Sequence, residues 1–505
     1  MVKDRKTDQI GILIADHSKT ISFQGMVADL TDNCIDADAT DVGFVLGTND
    51  YGPEKKLAGL HTIINPENPQ DPYDYKVPPV AEVLHGVRLW AMITDNGCGM
   101  NEEQLENGMG RGLRRKYEEY HLGKYGMGMK QSSRSHAQEI TILSKAVDSD
   151  IAILRDSTFH VLTSGLDQLL ELSDIEKHDW MRNSEGFEFA LSHLQDVESG
   201  TVVLLEGLHD LEVDDDQEID KQTLLADLQE RIEAFLGLTF QKYLQPGGAE
   251  IELSERDQKG KRKVINKKLS ISVQGNPIMS IDPFEQHLVD NTGYGTLTKE
   301  HTVSTLVDGE SEPMTVKIHI LPNSEHPRYK DDRNKLDGTL STKMKPDGTP
   351  YSQGKMGKLQ SSKPSAGKND LQGLYIYRNQ RLIDYAGESQ WKKIRTLDAK
   401  QTHHRWEIHL PPGLSVGTRG PSEWVVNDTK TEANPEPRLI SRLQKLMTYE
   451  SKQRWHSKDP RDYQKGAAVR ADVRLSKLDN HDHESQELRW GTRRHHGSLK
   501  KTNYP

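Results

Sequence analysis

Cysteine is nearly absent. Cys34 and Cys98 are the only two in 505 residues, which excludes a disulfide framework or a cysteine-based zinc site and predicts two free thiols. Apolar residues are also scarce, at 34%, so large polar surfaces or insertions are expected around two or three domain cores. No run approaches the roughly 20 apolar residues of a membrane-spanning helix. The opening Met1-Val2-Lys3-Asp4-Arg5-Lys6 is followed by no signal-peptide core, and the expected setting is cytoplasmic with no membrane partner. Net positive charge is lacking too: the balance is -11, which excludes a surface basic throughout and leaves only local basic segments to meet polyanions.

What is present is organised around Asp29-Leu30-Thr31-Asp32-Asn33-Cys34-Ile35-Asp36-Ala37. Asp29, Asp32, Asn33 and Asp36 recur at i, i+3, i+4 and i+7, one polar stripe of a helix predicted over 22–37, while Met26, Val27, Leu30 and Ile35 supply apolar contacts elsewhere on it. Alone, such a stripe reads as a solvated face. Downstream, the apolar run Val87 to Ile93 predicts a strand that delivers Asp95 into the turn Asp95-Asn96-Gly97-Cys98-Gly99-Met100. Gly123-Lys124-Tyr125-Gly126-Met127-Gly128-Met129-Lys130 then opens a helix expected to run through Ala137, and Ser199-Gly200-Thr201 leads into the strand Val202 to Leu205. Each is an ordinary Asx turn or glycine loop by itself; four in this order form a strong signal.

The ordered set resembles the GHKL (Bergerat-fold) ATPases, the group of gyrase, heat-shock chaperone, histidine kinase and MutL. Gly123 to Lys130 together with Gly373-Leu374-Tyr375-Ile376-Tyr377-Arg378-Asn379-Gln380-Arg381-Leu382-Ile383 look most like MORC-type ATPases and their prokaryotic relatives. The resemblance spans roughly residues 10–445. It implies an α+β fold: a two-layer α/β sandwich that binds ATP over 1–245, then an α+β transducer domain over 246–435. A closing helix at 436–455 and a basic tail over 456–505 would follow.

The cofactors implied are ATP and Mg2+. Asn33 offers the metal one amide oxygen, which suits an ion that keeps waters and phosphate oxygens as its other ligands. Asp95 at a strand end accepts the adenine amino proton, with Gly97, Gly99 and Met100 allowing backbone to approach the base. Gly123, Tyr125, Gly126, Met127, Gly128, Met129 and Lys130 bring backbone N–H groups and one ammonium to the phosphates. Asp36 completes the nucleotide-binding stripe, and Thr201 matches the family's Gly-Thr element beside Asp95. The family's catalytic Glu lies four residues before the Asn; here that position is Asp29, a carboxylate on a stem one methylene shorter. Lys430, in Trp424-Val425-Val426-Asn427-Asp428-Thr429-Lys430, matches the transducer lysine that reaches the γ-phosphate.

Gly108, Gly110 and Gly112, beside Arg111, Arg114, Arg115 and Lys116, fall where the family has its ATP lid. Residues 47–79 read as an insertion or long loop. Short strands are expected at Glu139 to Ser144, Ile151 to Leu154, Phe159 to Leu162 and Phe187 to Ala190, and a helix over Asp220 to Leu244. Pro246-Gly247-Gly248 marks the domain boundary. Beyond it, Ile251 to Leu253, Leu269 to Val273, Thr315 to Leu321, Leu374 to Tyr377 and Trp406 to Leu410 are strands of the second unit, interrupted by a Lys/Gly/Ser-rich insertion at about 326–370. Metal-ligand side chains at His481, Asp482, His483 and Glu484 lack the second cluster that a zinc site needs.

The resemblance implies an ATP-gated homodimer acting on double-stranded DNA through the segments 326–370 and 456–505, in the cytoplasm or on the nucleoid or nuclear DNA, with defence against foreign DNA as one setting. A non-hydrolysing ATP-gated binding module, which Asp29 favours, and a protein chaperone on the same nucleotide fold are the alternatives that stay open.

Overall fold

The computed structural model describes residues 3–5, 21–49, 59–63, 73–77, 82–83, 87–108, 118–123, 132–157, 167–170, 181, 184–211, 221–284, 297–320, 373–385, 404–412, 414, 422–426 and 433–452. The sequence features at 326–370 and 456–505 lie outside them, as do most of the lid segment, Phe159 to Leu162 and the His481 to Glu484 cluster. The chain forms two compact units, Met1–Ser280 and Ile281–Pro505.

The first unit is built on one large sheet. Its strands are β1 (Lys3–Arg5), β2 (Asp41–Asn49), β5 (Glu82–Val83), β6 (Val87–Asp95), β7 (Ala137–Lys145), β8 (Ala152–Ser157), β9 (Asp167–Leu170), β10 (Gly200–Leu208), β13 (Ser270–Val273) and β14 (Asn276–Pro277). They lie in the order β1-β9-β8-β7-β10-β6-β2-β13-β14, with β5 also on β6. Separate hairpins pair β3 (Gly59–Ile63) with β4 (Tyr73–Val77) and β11 (Ala249–Arg256) with β12 (Arg262–Lys267).

The central strands are apolar on both faces, and the period of two divides their side chains cleanly. In β6, Leu89, Ala91 and Ile93 join one core while Trp90 and Met92 join another; in β10, Val203 and Leu205 oppose Val202 and Leu204. The first core packs against helix α1 (Phe23–Asp36) and helix α4 (Lys221–Thr239), whose Leu224, Leu228, Ile232 and Leu236 recur every four residues. The second is covered by helix α3 (Glu185–Asp196) through Phe187, Ala190 and Leu194. Each such fully buried side chain contributes about 1.5–3 kcal/mol relative to exposure. The α+β sandwich expected from the sequence is the observed architecture, with α3 as a cover on the far face.

Helix α1 starts where Ser22 accepts the Gly25 N–H at 3.1 Å. It ends where Asp38 turns left-handed, φ 59°, and Ala39 N donates to Cys34 O at 3.0 Å. The short helix α2 (Glu102–Gly108) and the one-turn α5 (Gln241–Leu244) also belong to this unit, and residues 132–134 are helical.

Three expectations are corrected. Phe187 to Ala190 is helix, not strand: Ser184 caps α3 by accepting from Phe187 N at 3.2 Å, with Glu185 and Glu188 in the first turn. Ala137 opens β7 rather than closing a helix, because Ala137 to Leu143 is buried along its whole length between β8 and β10. The strand at Leu269 to Val273 belongs to the first sheet, where Ser270 to Val273 pair in parallel with Asp41 to Phe44. Pro246-Gly247-Gly248 is accordingly a turn inside the first unit.

In the second unit, β15 (Leu297–Val307) and β16 (Glu310–Ile320) form a long hairpin extended by β19 (His404–His409), β17 (Gly373–Arg378) and β18 (Arg381–Tyr385). A small pair, β20 (Trp424–Val426) and β21 (Ala433–Pro435), precedes helix α6 (Pro437–Lys452), whose Leu439 and Leu443 enter this unit's core. Glu423 anchors the assembly, accepting from Leu306 N at 2.9 Å and pairing with Arg442.

Candidate functional site

The site lies where the C-terminal half of α1 meets the ends of β6 and β10. Asp95 is buried at the last position of β6, and β-ladder register places Thr201 directly opposite it. One carboxylate oxygen, Oδ1, accepts from Gly97 N at 2.8 Å and Thr201 N at 3.2 Å. Burial pushes the Asp95 carboxyl above its ordinary value, and the two N–H donors oppose that rise. Cys34, one residue beyond Asn33 on α1, is also buried, and its thiol is pushed well above its usual value by burial and by the neighbouring Asp95.

The turn after Asp95 is fixed from both sides. Asn96 Oδ1 accepts from Thr40 N at 3.0 Å and Asp41 N at 2.9 Å, while Cys98 N donates to Ala37 O at 2.9 Å. Gly97 is required by proximity: a Cβ there would stand 2.7 Å from Ala37 O. Gly99 is required twice over, since its φ is +63° and a Cβ would overlap the Lys145 carbonyl.

Ser144, in register with Thr201 across β7 and β10, joins three parts of the site. Its hydroxyl accepts from Met100 N at 2.8 Å and shares a hydrogen bond with Thr201 Oγ1 at 2.8 Å. Ser199 Oγ donates to Gly97 O at 2.8 Å, tying the start of β10 to the same turn.

The polar stripe of α1 is not a solvated face. Asp29 and Asp32 are buried, and Asn33 and Asp36 are half-buried. Asp36 holds the segment that leads into the glycine-rich motif: Oδ1 accepts from Leu122 N at 2.7 Å and Oδ2 from Gly123 N at 2.6 Å. A Cβ on Gly123 would lie 3.8 Å from Asn33 Oδ1, so the Asn33 amide abuts the same segment. Asn33 Nδ2 is buried with no hydrogen-bond partner among the described residues. Asp29 Oδ2 accepts from Ser132 Oγ at 2.6 Å.

Asp95, Gly97, Met100 and Thr201 are thus linked by hydrogen bonds, with Gly99 in the same turn; Asp36 holds Gly123 beside Asn33, and Asp29, on the same helix, pairs with Ser132. Tyr125, Gly126, Met127, Gly128, Met129, Lys130 and Lys430 lie outside the described residues. Sequence reasoning passed over Ser132, Ser144, Asn96 and Ser199. Asn96 carried a local signal, as an Asx residue in a tight turn; the three serines did not, because their partners are 44 to 103 residues away.

The Asn33 amide oxygen, beside Gly123, is of the donor type that magnesium takes, few protein oxygens beside phosphates and water. Among the described residues no group of three or more His, Cys, Asp and Glu is arranged to hold a metal by itself, and no helix is long and apolar enough to cross a membrane.

No curated protein matches the chain. Residues 81–185, less than half of the chain, match the family of histidine kinase-, DNA gyrase B-, and HSP90-like ATPases. That range carries Asp95, the glycine turn and the Gly123 to Lys130 motif, and the match supports a GHKL-type ATPase domain, which binds ATP, in the first unit.

Proposed function

We propose that this chain is an ATP- and magnesium-dependent switch of the MORC-like kind, in which ATP closes the segment around Gly108 to Lys116 and pairs two protomers. Hydrolysis reopens them. The observation that carries the reading is Asp95, buried at the end of β6 and locked by the N–H groups of Gly97 and Thr201, beside the Asn33 and Asp36 end of α1. One oxygen of Asp95 is oriented by the backbone, and the carboxylate accepts the amino proton of adenine.

Asn33 and the Gly123 segment hold the phosphate side, with Lys130 and, by resemblance, Lys430 as the cationic groups matched to the phosphates. Magnesium would be held by the Asn33 amide oxygen and would supply positive charge to the phosphates. Asp29 orients the attacking water or takes its proton. The partner in this reading is double-stranded DNA, met by the basic stretches 326–370 and 456–505, and a role in defence against foreign DNA would fit such a clamp.

The burial of Asp29 and its hydrogen bond from Ser132 favour one further reading, a module that binds ATP, dimerises and turns over little. Phosphate release with Mg-ATP separates the two, measured with and without double-stranded DNA on the wild type and Asp29→Asn, with dimerisation followed by light scattering. Turnover stimulated by DNA and lost in Asp29→Asn is the result expected of the switch. ATP-dependent dimers without turnover would assign the binding module, and absence of both ATP binding and dimers would overturn the reading.

A further inference from the structure

The segment 118–123 connects the glycine- and arginine-rich stretch to the phosphate motif, and its placement is set by residues far along the chain. Glu119 accepts from Ser254 N at 2.9 Å through each carboxylate oxygen, and Ser254 Oγ donates to it as well. The Tyr120 ring lies under the Lys267 ammonium, 4.6 Å from Nζ to the ring centroid. Lys267 is the last residue of β12, and its side chain is 15% exposed.

The same ammonium reaches the end of α1. Lys267 Nζ donates to Ile35 O at 2.9 Å and to Asp38 Oδ1 at 2.8 Å. Ile35 O is one of the last carbonyls of the helix, where a cation is favoured by the helix dipole. Between these two attachments, Asp36 takes the N–H groups of Leu122 and Gly123. The ring of contacts is closed: Lys267 to the end of α1, Asp36 to Gly123, and back through Tyr120 to Lys267. His121, inside this ring, is held below its usual pKa by burial and then by Lys267.

We infer that Lys267 is a positioning residue for the nucleotide site, acting through Tyr120 and the α1 C-terminus to place Gly123 against Asn33. The inference rests on the ATP-site reading above. Its chemistry favours a cation: the Tyr120 ring face and the Asp38 carboxylate both attract positive charge, while the ammonium has N–H donors for the Ile35 carbonyl as well.

Mg-ATP affinity is measured on the full chain by calorimetry for the wild type, Lys267→Met, Lys267→Arg, Tyr120→Leu and the double variant. Failure of the wild type to bind would overturn the ATP-site reading itself. With wild-type binding in hand, Lys267→Met and Tyr120→Leu are expected to weaken affinity about tenfold, Lys267→Arg to stay within about threefold, and the double variant to be no worse than Lys267→Met. In turnover, KM rises while kcat is kept. Affinity unchanged in Lys267→Met, or losses that simply add in the double variant, would overturn the inference. Tyr120 is half-buried and its replacement leaves Lys267 in place, so unchanged affinity in Tyr120→Leu alone also overturns it should Lys267→Met not fold.

Discussion

Ser132 Oγ donates to Asp29 Oδ2 at 2.6 Å inside the buried interior of the first unit. Asp29 sits one turn before Asn33 on α1, and the hydroxyl fixes which oxygen of the carboxylate is occupied. In the proposed role of Asp29 such an anchor matters, because a water-orienting group must hold its position to within about 0.5 Å.

If Asp29 has the proposed role, Ser132→Ala is expected to lower kcat about tenfold with KM within about twofold of wild type, since the hydroxyl donates to the Asp29 carboxylate. Steady-state phosphate release gives both numbers. A kcat equal to wild type would mean that Asp29 is oriented without Ser132.

Asp95 links affinity to pH. Its carboxyl titrates above the ordinary value because it is buried, and in the proposed site the ionised form is the stronger acceptor for the adenine amino proton. Nucleotide affinity should fall as pH drops through that raised value. The stability effect has the opposite sign: the folded protein binds this proton more tightly than the unfolded chain, so stability declines as pH rises from the ordinary carboxylate range through the folded value. Asp95→Asn is expected to weaken ATP binding at least tenfold, about 1.4 kcal/mol, and to raise the thermal midpoint at neutral pH. Calorimetric titration and thermal melts over pH 4 to 8 check the pair of signs.

Asp36 accepts two backbone N–H groups with one carboxylate. Asp36→Ala leaves both donors without that acceptor, a cost of about 1–3 kcal/mol that falls on the placement of Gly123. Affinity for Mg-ATP should drop tenfold or more, with Asp36→Asn, which keeps one acceptor oxygen, between the two. Fluorescent-nucleotide titration orders the three proteins, and an Asp36→Asn affinity below that of Asp36→Ala would contradict the assignment.

Gly99→Ala meets both a left-handed φ of +63° and the Lys145 carbonyl, neither of which can shift cheaply because both are backbone. A loss of about 1–3 kcal/mol or more is expected in urea unfolding. Gly247→Ala is the matched control: a Cβ there meets nothing within 4 Å, and its midpoint should stay within about 0.5 kcal/mol.

Much of this was legible in the chain. The apolar positions of α1 and the four-residue repeat of α4 are local, because helix geometry depends on neighbours three and four residues apart. The apolar run Val87 to Ile93 announced a strand, and β6 is one, buried on both faces. The α3 helix was also written locally, as Ser184 followed by Glu185, Phe187 and Glu188, but the short apolar cluster Phe187 to Ala190 suits either period and its cap was overlooked.

What the sequence determined by itself was the set of elements and the chemistry of their ends: an acid after a strand, an amide on a helix, glycines where backbone must come close. What only the tertiary structure decided was which of them meet. The parallel pairing of Ser270 to Val273 with Asp41 to Phe44, the burial of Asp29 and Asp32, and the reach of Lys267 to Ile35 and Tyr120 join residues up to 232 positions apart. No local pattern encodes such pairs, because a hydrogen bond constrains two atoms in space and leaves the chain between them free.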